Sequence, residues 1–314
     1  MNSIKNLILG TRGSKLAITQ SQYIADLLER TVGLKITLKV ITTKGDKILD
    51  VSLSKIGDKG LFTKELEYAL LSGEIDMAVH SLKDIPAEMP KGLTVAAYPV
   101  RESPFDVVIS RIPKSGNILE KPGKIIGTSS LRRIAQLLHK NPRLQIKDLR
   151  GNLDTRIKKL QTGEYDGIIA AEAGLKRIGF AQEVEYTPIG LESMVPAVGQ
   201  GCLGIQARES DETLLQNLLL INDKNTQICV NAERSFMVEL QGGCQIPIGA
   251  LAEIKDETLE ICGAVASLDG KELIKSRILD NCKDPVNTGK KLASELLNLG
   301  CGRILESIRR DFIA

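Results

Sequence analysis

Five short stretches of the sequence carry residue types that do chemistry. Gly127 to Arg133 reads Gly-Thr-Ser-Ser-Leu-Arg-Arg, with hydroxyls on Thr128, Ser129 and Ser130 and forked cations on Arg132 and Arg133. An apolar run feeding a helix start leaves backbone N–H groups at the positive end of the helix dipole, where anions bind. Arginine forks suit carboxylate or phosphate. The same residues also fit an ordinary capped helix with solvated arginines. A matching turn, Thr11-Arg12-Gly13-Ser14, sets another arginine at an equivalent place and favours the anion site. No Gly-x-x-x-x-Gly-Lys-Ser/Thr occurs, so a nucleotide phosphate cradle is not indicated.

In Leu149 to Arg156, Arg150 precedes a helix start and Arg156 lies about one turn inside it. Arg177, beyond the apolar run Gly167–Ala170, completes a set converging on strand ends, although any one such arginine is more often a surface residue. His80-Ser81-Leu82-Lys83-Asp84 directly follows another apolar run. That stretch reads either as a catalytic acid beside a base or as a solvated turn ahead of Pro86, and the residues alone favour the turn; His80 equally suits a structural role. Gly242 and Gly243 read as the C-cap of the preceding helix. They leave Cys244 on a tight loop with bare backbone, where a bulky group can approach the sulfur. Most lone cysteines are buried and inert; Cys244 ranks ahead of the other five as a functional thiol.

The elements that must position these residues alternate. Lys5–Leu9 reads as a strand, Ser14–Arg30 as a helix with Ser14 as N-cap, and Lys35–Ile41 as a strand of period two. A long loop over 42–60 leads to a helix at Thr63–Leu71, then strands at Ile75–Val79 and Leu93–Tyr98. Such alternation predicts βαβ units and a parallel sheet. Part of it repeats: Leu7–Ser14 is matched by Lys124–Leu131, and Gly73-Glu74-Ile75-Asp76 by Gly163-Glu164-Tyr165-Asp166. We read an α/β class with two similar lobes of mainly parallel sheet, 1–100 and 105–195, with a ligand expected between them at the strands' carboxyl ends. The Gly-rich stretch 196–208 returns the chain to the first lobe, which takes up about 200–220. A helix at Thr226–Gln241, three alternating runs (Ile248–Ile254, Leu259–Ala266, Glu272–Leu279) and a helix from Pro285 to Leu299 predict a smaller α+β domain over 222–314.

Composition excludes several classes. With 314 residues the chain is too long for one small core. Lys and Arg total 42 against 39 Asp and Glu, a net +3, which argues against a nucleic-acid binder held by bulk charge. No Trp, five Tyr and five Phe supply few stacking platforms. The N-terminal apolar run is too short for a signal peptide, and none approaches the roughly 18 residues of a membrane span. A cytoplasmic protein with reduced thiols is expected. The six cysteines contain no C-x-x-C and there are two histidines, so no metal site of the usual spacing is expected.

Taken in order, the motifs resemble one family. Gly57–Leu66 (Gly-Asp-Lys-Gly-Leu-Phe-Thr-Lys-Glu-Leu), His80–Asp84, Gly127–Arg133, Leu149–Asn152, Ala173–Arg177, Pro196–Gly201 and Gly242–Gly249 are similar to the porphobilinogen deaminases, also called hydroxymethylbilane synthases. The likeness runs from about residue 5 to 250 and more loosely to the end. It implies three domains, two of them like periplasmic binding proteins, and a dipyrromethane cofactor joined by a thioether to Cys244. It also implies the activity: four porphobilinogen molecules are joined head to tail on that primer, ammonia is released at each step, and linear hydroxymethylbilane is hydrolysed off. Asp84 is the implied catalytic carboxylate. Arg12, Ser14, Ser81, Lys83, Thr128, Ser129, Ser130, Arg132, Arg133, Arg150, Arg156 and Arg177 are the implied cofactor and substrate-carboxylate ligands. Lys55, Lys59 and Phe62 belong to an implied lid.

Each pyrrole bears an acetate and a propionate, which suits charge-assisted bonds from arginines and hydroxyls. Loss of ammonia leaves a cation delocalised onto the pyrrole nitrogen, which a fixed carboxylate stabilises. No metal is required. Glu172 sets an extra negative charge near Arg177. The resemblance further implies a monomer, no nucleic-acid or membrane partner, and hand-off of product to uroporphyrinogen III synthase. The rival reading, a non-catalytic two-lobed binding module for a small carboxylate anion, shares the lobes and arginines but gives no reason for Gly-Gly-Cys or the third domain.

Overall fold

A computed structural model describes residues 6–47, 63–86, 88–112, 117–242 and 246–313. The chain begins β1 (Asn6–Thr11), α1 (Lys15–Val32), β2 (Lys35–Val40), the single turn α2 (Lys44–Lys47), α3 (Lys64–Leu71), β3 (Met77–Ser81) and β4 (Leu93–Ala97). It continues β5 (Asp106–Ser110), β6 (Ile125–Gly127), α4 (Leu131–Lys140), β7 (Gln145–Lys147), α5 (Leu153–Gln161), β8 (Gly167–Ala171), α6 (Glu172–Arg177) and β9 (Tyr186–Pro188). The last third holds β10 (Leu203–Arg208), α7 (Glu212–Leu219), α8 (Lys224–Glu239), β11 (Ile248–Lys255), β12 (Thr258–Ala266), β13 (Leu273–Asn281), α9 (Pro285–Asn298) and α10 (Cys301–Ile313). Among the described residues no helix is long and apolar enough to cross a membrane.

Two compact units result: Met1–Glu102 with Gly201–Gln227, and Ser103–Gln200 with Ile228–Ala314. In the first, a sheet of order β2-β1-β3-β10-β4 has β1 parallel to β2 and β3, while β10 runs antiparallel to β3 and β4. Leu7, Leu9, Met77 and Val79 meet Ile24 and Leu28 of α1 and Leu214 and Leu218 of α7 on one face. Ala78 and Leu93 meet Leu66 and Leu70 of α3 on the other. A strand covered on both faces reads as a continuous apolar run, which is how β3 announced itself. β3 starts at Met77, two residues later than the run suggested, because Ile75 packs into the α3 core from the turn before the strand.

The second unit holds a sheet of order β7-β6-β8-β5-β9, with β6 parallel to β7 and β8 and the reversed strand supplied by β5. Each five-stranded sheet thus contains one reversed strand, so the sheets are mainly rather than wholly parallel. The repeated segments occupy matching places. Gly73 and Gly163 both take left-handed backbone, at φ 76° and 88°. Asp76 then accepts the N–H of Ile8 at 2.8 Å, and Asp166 that of Ile125 at 2.9 Å. That N–H, more than any other group, draws the Asp166 carboxyl below its ordinary pKa.

The antiparallel sheet β11-β12-β13 lies in the same unit, under α8, α9 and α10. Ala232 and Phe236 on one face of α8, and Leu240 just past its end, pack with Leu292, Leu296 and Leu305, the i+4 stripe expected from the sequence. α10, beyond Gly300 at φ 98°, is a helix the sequence reading did not include. Two devices fasten this sheet within its unit. Glu233, fully buried, accepts the N–H of Gly199 at 2.7 Å and of Ala252 at 2.9 Å. His139 Nδ1 donates to the Gly270 carbonyl at 2.9 Å.

Candidate active site

The first unit gathers its chemical residues at the carboxyl ends of β1 and β3. Ser14 caps α1 as expected, its Oγ accepting the Ala17 N–H at 3.2 Å in extended backbone. That cap fixes where Arg12 leaves β1. Ser81, the last residue of β3, exchanges bonds with the side-chain amide of Gln20 on α1, at 3.0 and 3.3 Å. One turn of 3₁₀ helix over Leu82–Asp84 follows, anchored by buried Leu82. Arg12, Ser14, Gln20, Thr63, His80, Ser81 and Asp84 all line one open pocket of about 60 Å³. A cation, several hydroxyls and an exposed carboxylate therefore share a single concavity.

His80 is not the base of this site. It is buried, and its Nε2 lies 3.0 Å from Gln206 Oε1, so the ring donates there. Desolvation lowers its pKa to about 4 against a smaller upward pull from Gln206, with Arg12 adding a further downward push. The ring stays neutral at neutral pH, in keeping with a structural role.

In the second unit the corresponding residues leave the carboxyl ends of the adjacent parallel strands β7, β6 and β8. Ser129 Oγ donates to the Leu149 carbonyl at 2.7 Å and accepts the Leu149 N–H at 3.0 Å, bolting the turn after β6 to the turn after β7. Ser130 occupies the N-cap of α4 without making a side-chain cap, and its own N–H donates to Thr128 Oγ1 at 3.3 Å. Arg156 Nε donates to the Gly151 carbonyl at 2.8 Å, and Arg150 Nε to Asp148 at 3.0 Å.

Arg132 and Arg133 are placed differently from solvated arginines and from freely exposed anion ligands. Both are buried against Asp106, the first residue of β5, at 2.8 and 2.7 Å. Burial lowers the Arg132 pKa, the Asp106 charge raises it, and Arg133 lowers it again. Two guanidinium groups share one carboxylate, so this cluster carries one net positive charge behind the α4 N-terminus. Glu172 takes Ser103 Oγ at 2.5 Å, Tyr186 Oη at 3.2 Å and Lys176 at 3.4 Å, which directs its charge to those partners.

The structure thus brings Arg12, Ser14, Ser81 and Asp84 into one pocket, whereas Lys83 of the same turn is not on its wall. Thr128, Ser129, Ser130 and Arg150 follow the strand ends of the second sheet, whereas Arg156 lies within α5 and Arg177 ends α6, a helix away from β8. Lys55, Lys59, Phe62 and Cys244 lie outside the described residues. The loop before Cys244 closes otherwise than expected: Gln241, at φ 49°, takes the left-handed position, and Gly242 is there for space. A Cβ on Gly242 would come within 2.9 Å of Ile248 Cδ1 and 3.0 Å of Met237 Cγ. Gln20 and Thr63 were missed. Gln20 had a signal, a polar residue inside the series Gln20–Ile24–Leu28 that faces the core.

Two family models together match most of the chain. Residues 7–216 match the family model "Porphobilinogen deaminase, dipyromethane cofactor binding domain", and residues 227–298 match "Porphobilinogen deaminase, C-terminal domain". Porphobilinogen deaminase of Carboxydothermus hydrogenoformans is 50% identical over 311 residues, covering 98% of both chains. That of Staphylococcus aureus is 46% identical over 310 residues, covering 98% of this chain and 100% of its own. Among solved structures, the Bordetella pertussis BvgS VFT2 domain superposes at TM-score 0.43 and 14% identity, over 73% of this chain and 92% of its own. That likeness is too slight to carry an argument.

Proposed function

The chain belongs to the porphobilinogen deaminase family, and from that premise we propose how its own residues divide the work. It condenses four porphobilinogen molecules head to tail, releases ammonia, and hydrolyses off hydroxymethylbilane. The observation that carries the site assignment is the pocket where the Asp84 carboxylate stands with Arg12, Ser14 and Ser81. Arg12 and the hydroxyls hold the substrate's acetate and propionate. The Asp84 carboxylate accepts the pyrrole N–H and stabilises the positive charge that reaches that nitrogen when the carbon–nitrogen bond to the departing ammonia breaks. Lys83 adds cationic charge behind Asp84. Lys55, Lys59 and Phe62, outside the described residues, are kept as the lid that the family resemblance implies.

The second unit's donors fit a dipyrromethane. Its acetates and propionates need cations and N–H donors. The buried pair Arg132–Arg133 has one positive charge in excess over Asp106, and the first turn of α4 has no side-chain cap. When bound, the cofactor supplies the pyrrole carbon from which the chain grows. We assign its attachment to Cys244 and its carboxylates to Thr128, Ser129, Ser130, Arg132, Arg133, Arg150, Arg156 and Arg177. Residues 1–100 with 200–220, 105–195 and 222–314 then serve as reaction lobe, carboxylate-holding lobe and attachment domain. A cytoplasmic monomer that passes its product to uroporphyrinogen III synthase completes the reading.

The test is intact-protein mass with turnover. The purified protein is expected to exceed its sequence mass by one dipyrromethane, and Cys244→Ser to lack the excess. Asp84→Asn is expected to keep the excess mass while losing at least about a hundredfold in ammonia release, the usual scale for removing a charge-stabilising group. Near-normal turnover in Asp84→Asn removes that residue from the chemistry.

A further inference from the structure

Thr63 precedes α3 at the N-cap, where a threonine ordinarily adopts extended backbone and accepts an N–H of the first turn. Here φ is −118° and ψ −30°, and the side chain makes no cap. Thr63 is 1% exposed, and its Oγ1 has no hydrogen-bond partner among the described residues. It nevertheless lines the pocket that holds Arg12, Ser14, Ser81 and Asp84. A buried hydroxyl with no partner is unfavourable, and valine would fill the same space without that cost. Thr63 performs neither task that would account for a hydroxyl in a finished fold.

Its neighbours indicate what it awaits. Ser81 Oγ is engaged with the Gln20 amide in both directions, and Ser14 Oγ already accepts the Ala17 N–H. Among the three hydroxyls of the pocket, only Thr63 has neither capacity engaged by these partners. A ligand group beside Arg12 is an anion, since a substrate ammonium is repelled there and drawn to Asp84. We infer that Thr63 is a further substrate-binding residue, its hydroxyl donating to a carboxylate of porphobilinogen that Arg12 also holds. This deepens the reading of the pocket as the reaction site and rests on it.

Thr63→Val and Thr63→Ser, assayed by steady-state porphobilinogen consumption, test it. Thr63→Val is expected to raise KM about tenfold, the scale of one hydrogen bond to a charged group, with kcat within about twofold. Thr63→Ser is expected to restore KM to near wild type. The melting temperature of Thr63→Val is expected to equal or exceed wild type, because an unpaired buried hydroxyl has been removed. An active wild type with unchanged KM in Thr63→Val overturns the inference alone; so does a fall in melting temperature with kcat and KM unmoved. A wild type that does not consume porphobilinogen overturns the inference together with the reading beneath it.

Discussion

Replacing Asp106 by Asn isolates the charge arrangement behind the second unit's strand ends. The Asp106 side chain is wholly buried and receives Arg132 Nη1 at 2.8 Å, Arg133 Nε at 2.9 Å, Arg133 Nη2 at 2.7 Å and Gln200 Nε2 at 3.1 Å. Asn keeps the shape, but it leaves two buried guanidinium groups without a counter-charge and turns an N–H₂ toward donors. Breaking one partner out of a buried ion cluster costs about 3–5 kcal/mol. At about 2–4 °C per kcal/mol for a unit of this size, the melting temperature should fall by about 10 °C. Differential scanning calorimetry reads this directly, with far-UV circular dichroism confirming that the variant folds. The triple variant Asp106→Leu, Arg132→Met, Arg133→Leu should recover most of the loss, since apolar replacement of a whole buried cluster is often neutral. A loss below about 1 kcal/mol in Asp106→Asn, or a triple variant no better than the single, would refute the claim that stranded cations set the penalty.

His80 provides a pH signature. The unfolded chain protonates His80 near its ordinary 6.5, while the folded chain holds it neutral down to about 4. Between those values the unfolded state binds more protons, so stability falls as pH drops through that window and levels off below it, by about 3 kcal/mol in all. Urea midpoints at pH 7, 5.5 and 4.5 should show this slope, and His80→Gln should flatten it; an identical slope in both proteins contradicts the assignment. Glu233→Gln keeps one acceptor of the pair that takes the Gly199 and Ala252 N–H groups but opposes a donor to the other. It should lose about 2 kcal/mol by urea unfolding, and a change within about 0.5 kcal/mol would place that fastening elsewhere.

The strands were legible where burial on both faces writes itself as a run, as in Met77–Ser81 and Gly167–Ala171. The three C-terminal strands were legible as apolar runs, of which β11 and β12 are buried almost continuously and β13 alternates only toward its end. The strand order of the first sheet was not legible. β10 enters the first sheet antiparallel between β3 and β4, a pairing more than a hundred residues away in sequence that no local pattern encodes. α10 escaped because Gly300 reads equally well as an ending and as a hinge between two helices. The site was legible as motifs, and its wiring was not. Arg132 and Arg133 announce cations, but their carboxylate lies 26 and 27 positions upstream, inside what looks like an ordinary short strand. Thr63 gave no signal at all, because a threonine ahead of a helix is what a cap looks like.

Under the function proposed above, the two repeated turns give one strand-to-helix junction two kinds of anion contact. After β1, Ser14 caps α1, so the helix start is partly satisfied from within and the turn presents side chains: Arg12, with Asp84 and the pocket hydroxyls beside it. After β6, the serines are committed elsewhere. Ser129 is tied to Leu149, and Ser130 makes no cap. There the first turn of α4 is left without a side-chain cap, with one net positive charge fixed behind it by the Arg132–Arg133–Asp106 cluster. Side chains at a turn can rotate and exchange partners from one bound molecule to the next. N–H groups and a buried charge stay where the fold puts them and act without reorganising. A junction of the first kind suits a substrate that arrives, reacts and moves on; one of the second kind suits a group that stays. The two junctions share one strand-to-helix geometry and differ in the placement of a single cap.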